Sequence, residues 1–137
     1  MRHLPTVVAA LVFLSACGER VCSKTTPDGT YRIDYTNVGG DCGDIGSVVV
    51  SVQGGRSQGS QGCTTNSEVY SENNCKAEST ITCIDTVNRL RSVGVGVVEQ
   101  TNDDGTERAG TLTMTLTDLD TAEYVCIGTY ELKYTKL

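Results

Sequence analysis

Side chains able to do acid–base or nucleophilic chemistry are sparse in this sequence. Its single histidine, His3, lies at the very start of the chain, and there is no tryptophan. Histidine is the commonest general base near neutral pH and a member of the Ser-His-Asp and Cys-His arrangements. Neither a Walker loop nor a GxGxxG turn after a strand is present. The sequence therefore predicts no catalytic residue and no cofactor, so we expect a protein that is not an enzyme.

Carboxylates are the one abundant reactive type, and they form three local groups. Paired carboxylates hydrolyse glycosides only when they lie about 5–9 Å apart with separated pKa values. Carboxylate oxygens also bind calcium, but no group here has the full spacing of a calcium-binding loop. Acidic residues in turns more often bond their own backbone, which is the interpretation we favour. The groups are Asp41 and Asp44; Asp103, Asp104 and Glu107; and Asp118, Asp120 and Glu123, of which the last set holds the better calcium candidates.

The formal net charge is −6. Proteins that bind the phosphate backbone rely on clustered lysine and arginine, and this chain has only 11 such residues against 17 acidic ones. The charge balance thus predicts that nucleic acid is not a partner.

The first residues have the pattern of an export signal. Arg2 supplies positive charge, and residues 4–16 are almost wholly apolar. As a helix these residues span about 20 Å, less than the ~30 Å of a hydrocarbon core, which favours a signal over a permanent membrane span. The next four residues are Leu14-Ser15-Ala16-Cys17. This tetrapeptide resembles the lipobox of bacterial lipoprotein precursors.

That resemblance implies cleavage before Cys17 and acylation of its sulfur and its new amino group by fatty acids such as palmitate. One acyl chain anchors a protein only marginally, but several chains together prevent its release. Gly18 stands where an aspartate retains enterobacterial lipoproteins in the inner membrane, so the resemblance implies the outer membrane, on its periplasmic or its surface face. The implied organisation is a signal peptide at 1–16, a lipidated N-terminus and tether at 17–28, and one domain at 29–137.

Six cysteines remain once Cys17 is assigned to the anchor. An even number in an exported chain predicts three disulfides, and 15 connectivities are open. No CxxC pair and no histidine is available for zinc. We favour Cys83 with Cys126 because both lie in strand patterns, Cys63 with Cys75 across a loop, and Cys22 with Cys42.

Alternation of apolar and polar residues predicts six strands. The clearest example is Glu107–Thr117, where Leu112, Met114 and Leu116 share one face and threonines share the other. A hairpin turn is predicted at 102–105, and a short helical turn is an option near Asp85–Leu90. No window has a long 3.6-residue apolar period. The strands are Thr30–Tyr35, Ser47–Gln53, Ala77–Ile84, Arg89–Gln100, Glu107–Thr117 and Tyr124–Tyr134.

These strands predict an all-β fold, a small antiparallel meander of six to eight strands closing into a disulfide-stapled barrel or sandwich. Gly94 and Gly96 lie opposite Val93, Val95 and Val97, which indicates a bend, a bulge or a close approach. The segment 53–62 is rich in glycine, serine and glutamine, and is either a solvated connector or a mobile flap. With no Phe or Trp in the domain, tyrosines must supply its aromatic core.

Two functions follow as hypotheses. The first is a non-catalytic domain that is anchored in the envelope by its lipid and interacts with a protein or glycan partner or has a structural role. The second is a lipocalin-like carrier of a small apolar ligand, for which a cavity of a few hundred Å³ is required. A packed interior would argue against the carrier, and an apolar pocket would favour it.

Overall fold

The computed structural model describes residues 20–58 and 62–137. Within them the chain forms eight antiparallel strands in a single sheet and no helix, which confirms the all-β prediction. In the sheet each strand neighbours the next along the chain, except that the first strand pairs with the last and the third and fourth occupy the two edges. The strands are β1 Gly29–Gly40, β2 Gly46–Gln53, β3 Arg56–Gln58, β4 Cys63–Ser71, β5 Lys76–Asp85, β6 Leu90–Gln100, β7 Glu107–Asp118 and β8 Tyr124–Lys136.

The sheet curls into a half-barrel that is open between β3 and β4. We call the two ends of the half-barrel the tether end, where β1 begins and β6 finishes, and the pocket end, where β1 finishes and β6 begins. The face on the inside of the curl is the inner face, and it carries the buried side chains of β1 and β8.

Tyrosine forms the centre of the core. Tyr31 and Tyr130 are the largest fully buried side chains, at 1% and 0% exposure. The ring of Tyr35 meets that of Tyr130 edge-on, with centroids 6.3 Å apart. The two buried hydroxyls are satisfied, since Tyr31 donates to the carbonyl of Pro27 and Tyr130 to that of Gly43. The aromatic core predicted from composition is therefore confirmed.

Small residues on the inner face allow the tight curl. In β6 Gly94 and Gly96 face inward and Val93, Val95 and Val97 outward, so that Gly94 is buried while Val95 is exposed. A Cβ on Gly94 would lie 3.1 Å from the side chain of Leu112, which is the close approach that these glycines indicated. On β8 a Cβ on Gly128 would lie 2.6 Å from the Tyr130 ring. The Tyr130 ring thus fills space that a side chain at position 128 would otherwise occupy.

Three disulfides join the six cysteines that were predicted to pair, but all three favoured pairings are wrong. The observed bonds are Cys22–Cys75, Cys42–Cys126 and Cys63–Cys83. Cys83 and Cys126 cannot meet because β6 and β7 lie between their strands, a separation of about 14 Å. Cys63 and Cys75 lie at opposite ends of the β4–β5 hairpin, and Cys22 and Cys42 at opposite ends of the half-barrel.

Three further expectations need correction. Residues 86–89 form a turn rather than a helical turn, because the Asp85 carboxylate accepts the N–H groups of Val87 and Asn88. The sequence pattern did not predict strand β4. Strand β3 lies inside the segment 53–62, for which a connector or flap was expected. Residues 59–61 of that segment lie outside the described residues. Finally, the curled sheet stays open at one side, since none of the described residues pairs β3 with β4.

The contact between Gly128 and Tyr130 gives a stability test. Gly128→Ala places a methyl group against a ring that is fully buried and hydrogen-bonded, so we expect a loss of about 1–3 kcal/mol in the free energy of unfolding. The matched control is Gly39→Ala, where the nearest atom to a new Cβ is 3.9 Å away and a change within about 0.5 kcal/mol is expected. Urea unfolding of both variants measures the difference, and equal losses would contradict this account of the core.

Candidate functional site

Residues 20–28, the tether segment, cross the open side of the half-barrel at the tether end. Arg20 donates to the carbonyl of Gln100, and Cys22 is bonded to Cys75. The ammonium of Lys24 lies over the ring of Tyr70 on edge strand β4, 5.1 Å from its centroid. On the other side, Asp28 accepts the N–H of Gly55 in the β2–β3 turn. The segment thus bridges the two sides of the opening, so it is bound to the domain over most of its length.

A cavity of about 580 Å³ lies at the pocket end. It is formed by the inner faces of β6 and β7 and by the β5–β6 turn, which folds over them. Most of its larger lining side chains are apolar, and Ser92 and Asp85 are among the polar groups at its wall. The volume falls within the range of small-molecule sites. The lining residues are Gly62, Cys83, Ile84, Asp85, Thr86, Val87, Leu90, Ser92, Met114 and Leu116.

The acidic side chains of Asp118 and Asp120 form hydrogen bonds that hold their own turn. Asp118 accepts the N–H groups of Asp120 and Thr121, and both carboxylate oxygens of Asp120 pair with the guanidinium of Arg89. These hydrogen bonds hold the pKa of Asp118 and of Asp120 below its usual range. Within residues 20–58 and 62–137 no group of three His, Cys, Asp or Glu side chains is placed to hold a metal ion. The structure does not bring Asp118, Asp120 and Glu123 together as a calcium site.

The other two acidic groups also lie in turns. Asp41 accepts the hydroxyl of Tyr124 and the N–H of Ile127, and these bonds lower the pKa of its carboxyl. Asp104 accepts both the hydroxyl and the N–H of Thr106, which lowers its pKa in the same way. Carboxyls held ionised are poorly suited to donate a proton, whereas a glycosidase acid requires a raised pKa. These groups therefore act as the turn residues that the sequence favoured.

The inner face carries one charged side chain that sequence analysis did not single out. Arg108 lies on β7 opposite Tyr134 of β8 and Gln100 of β6. It is half-buried, and its Nε is fully buried with no hydrogen-bond partner among the described residues. Burial raises the pKa of Tyr31, Tyr70 and Tyr134, and the positive charge of Arg108 acts on all three in the opposite direction. The alternation of side chains along β7 places Arg108 on the same face as Leu112. That alternation is the sequence signal that could have identified Arg108 as an inner-face residue.

The lipobox and Cys17 lie outside the described residues. In the part of the chain that is described, no helix has the length and apolar character needed to cross a membrane. Comparison with known protein families, with curated proteins and with solved structures found no match.

Two half-buried phenols, those of Tyr70 and Tyr134, give a prediction of pH dependence. Burial raises the pKa of Tyr134 to about 12, and burial together with the Glu68 carboxylate does the same for Tyr70. Because the unfolded chain ionises its tyrosines near pH 10 while these two stay protonated, stability is complete below pH 10 and falls as the pH rises toward 12. Unfolding midpoints in guanidinium between pH 8 and 12 measure the fall. Tyr134→Phe should make it shallower, and an unchanged slope would contradict the placement of Tyr134.

Proposed function

We infer that this protein is a lipid-anchored, non-catalytic binding domain of the bacterial cell envelope. The observation that carries the inference is the sequence Leu14-Ser15-Ala16-Cys17 behind a basic and then apolar segment. Three disulfides in a small domain support it, because such bonds form and persist in exported proteins. Gly18 supports the outer membrane as the destination, with the domain on its periplasmic or surface side.

The short distance along the chain from the anchor to the fold sets the orientation of the domain. Cys22 is only five positions after the acylated Cys17, and it is 6% exposed and bonded to the β4–β5 turn. Five extended residues reach at most about 18 Å. The tether end would therefore lie within that distance of the lipid surface, and the pocket end would point away from it. Partners in the envelope, either a protein or a glycan, would meet the pocket end first.

The cavity at the pocket end favours a second candidate function, the carriage of a small apolar ligand. Its volume of about 580 Å³ exceeds the few hundred Å³ that such a carrier needs, and its wall includes Leu90, Met114 and Leu116. A carrier and an anchored binding domain are compatible, since the anchor fixes where the ligand is held. Both proposals place the functional surface at the same end of the half-barrel.

Lipidation is tested by metabolic labelling. In bacteria fed an alkyne analogue of palmitate, the wild-type chain should incorporate label and partition with membranes. Cys17→Ala removes the acylated thiol, so we expect loss of the label and of membrane association. Ser15→Ala is the matched control, because it keeps a small residue before the cleavage point and should label normally. Labelling of Cys17→Ala at the wild-type level would refute the anchor.

The carrier function is tested by filling the cavity. Ser92→Trp projects an indole into the cavity over the inner faces of β6 and β7. Binding of an apolar reporter dye should then fall roughly tenfold or more, because the indole occupies its site. Thr113→Trp puts the same ring on the outer face of β7 and should leave dye binding unchanged. Dye fluorescence in titrations of the two variants gives the comparison, and equal binding would exclude this cavity as the ligand site.

A further inference from the structure

Three donor groups gather on the inner face toward the tether end, and no acceptor among the described residues is paired with them. Among residues 20–58 and 62–137, the side chain of Arg108 has no ion pair, and its buried Nε has no hydrogen-bond partner. Tyr134 lies opposite Arg108 on one side and opposite Ile33 on the other, and Tyr35 is the next inner-face residue after Ile33 on β1. Neither hydroxyl is hydrogen-bonded to another described residue. We name Arg108, Tyr134 and Tyr35 the donor cluster.

Arg108 differs from three other arginines whose side chains form ion pairs. Arg20, Arg32 and Arg89 each pair with an aspartate at the surface. Arg108 instead lies on the inner face. There its Nε is buried away from water and has no hydrogen-bond acceptor among the described residues. An unpaired donor of a charged group in such a place is costly, and each one in a folded protein requires an explanation. A ligand that supplies the missing acceptor is one explanation.

One acid on the inner face is already engaged in a hydrogen bond. Glu68 points to the inner face from β4, and its carboxylate accepts the hydroxyl of Tyr70. Asp28 accepts the N–H of Gly55, and Asp104 accepts the hydroxyl and the N–H of Thr106. None of these carboxylates forms an ion pair with Arg108, so the guanidinium retains donors that face no protein acceptor.

We propose that the donor cluster binds the oxyanion of an organic acid whose apolar body lies against the inner face. A guanidinium offers paired donors that match carboxylate and phosphate oxygens, and two phenols add further donors. An apolar body suits the surroundings because the half-buried Leu112 shares the inner face with Arg108. The donor cluster lies toward the tether end and the cavity at the pocket end. The proposal therefore goes beyond the carrier function and adds a second ligand site, for an amphipathic monoanion.

The test compares three probes of equal chain length, dodecanoate, dodecyl phosphate and dodecanol, by calorimetry on the exported protein. Arg108→Gln should weaken the binding of an anionic probe roughly 10- to 100-fold, because a charge-assisted hydrogen bond is lost, and should leave dodecanol unchanged. Arg91→Gln, an exposed arginine on the outer face of β6, is the matched control and should bind all probes like wild type. The preferred anion separates a carboxylate headgroup from a phosphate one.

Each other outcome overturns the proposal in a distinguishable way. If dodecanol and both anions bind equally well, and Arg108→Gln has no effect, the donor cluster is not an anion site but the carrier function stands. If none of the probes binds, both fail. If Arg108→Gln and Glu68→Gln lower the melting temperature equally and non-additively, the two residues pair with each other in solution, and the cluster has a structural acceptor. Tyr134→Phe, which keeps the ring, should weaken anion binding without unfolding the protein.

Discussion

The constraint on which this structure depends is that a single sheet has no second layer to cover it. The described residues contain no helix and no second sheet, so apolar side chains can be buried only if the sheet curls over its own inner face. The first strand pairs with the last in the interior of the sheet, so Tyr31 and Tyr130 lie at the centre of the curled inner face. The glycines at 94 and 128 follow from the same requirement, since a tightly curved inner face has no room for side chains at every position.

A core this small needs further support, and the disulfides supply it at both ends. Cys42–Cys126 links residues 84 apart and ties the β1–β2 loop to β8 at the pocket end. Cys22–Cys75 ties the tether segment to the β4–β5 turn at the tether end. Cross-links of this kind stabilise a fold mainly by restricting the unfolded chain, and small exported domains rely on them where the apolar core is limited. The open side of the half-barrel is spanned by the tether segment in place of strand pairing.

The parts of the fold that sequence could predict are those where one residue type alternates with another. β7 alternates Leu and Met with Thr, and its predicted bounds differ from the observed ones by a single residue. β4 shows no such alternation because nearly all its residues are exposed on this edge strand, so no burial pattern marks it. Disulfide pairing failed for a different reason. Which cysteines meet depends on the order and register of the strands, and spacing along the chain does not contain that information.

In the candidate site, too, the local features could be predicted from the sequence and the non-local ones could not. Turn carboxylates such as Asp118 bond their own backbone, a local effect that depends on nearby sequence only. The cavity and the donor cluster are non-local, because they arise where β6, β7 and β8 bring distant residues onto one face.

A buried guanidinium nitrogen with no acceptor, the Nε of Arg108, is costly to a domain with so little core, and its retention is hard to explain by stability alone. The same reasoning distinguishes the turns of the half-barrel from its inner face. Acidic side chains at the turns are satisfied by their own loops, whereas the inner face keeps both an apolar cavity and donors without acceptors. Polar groups left unsatisfied inside a fold are more informative about function than satisfied ones at its surface. On that physical ground the inner face, rather than the turns, is where a ligand of this domain is to be sought.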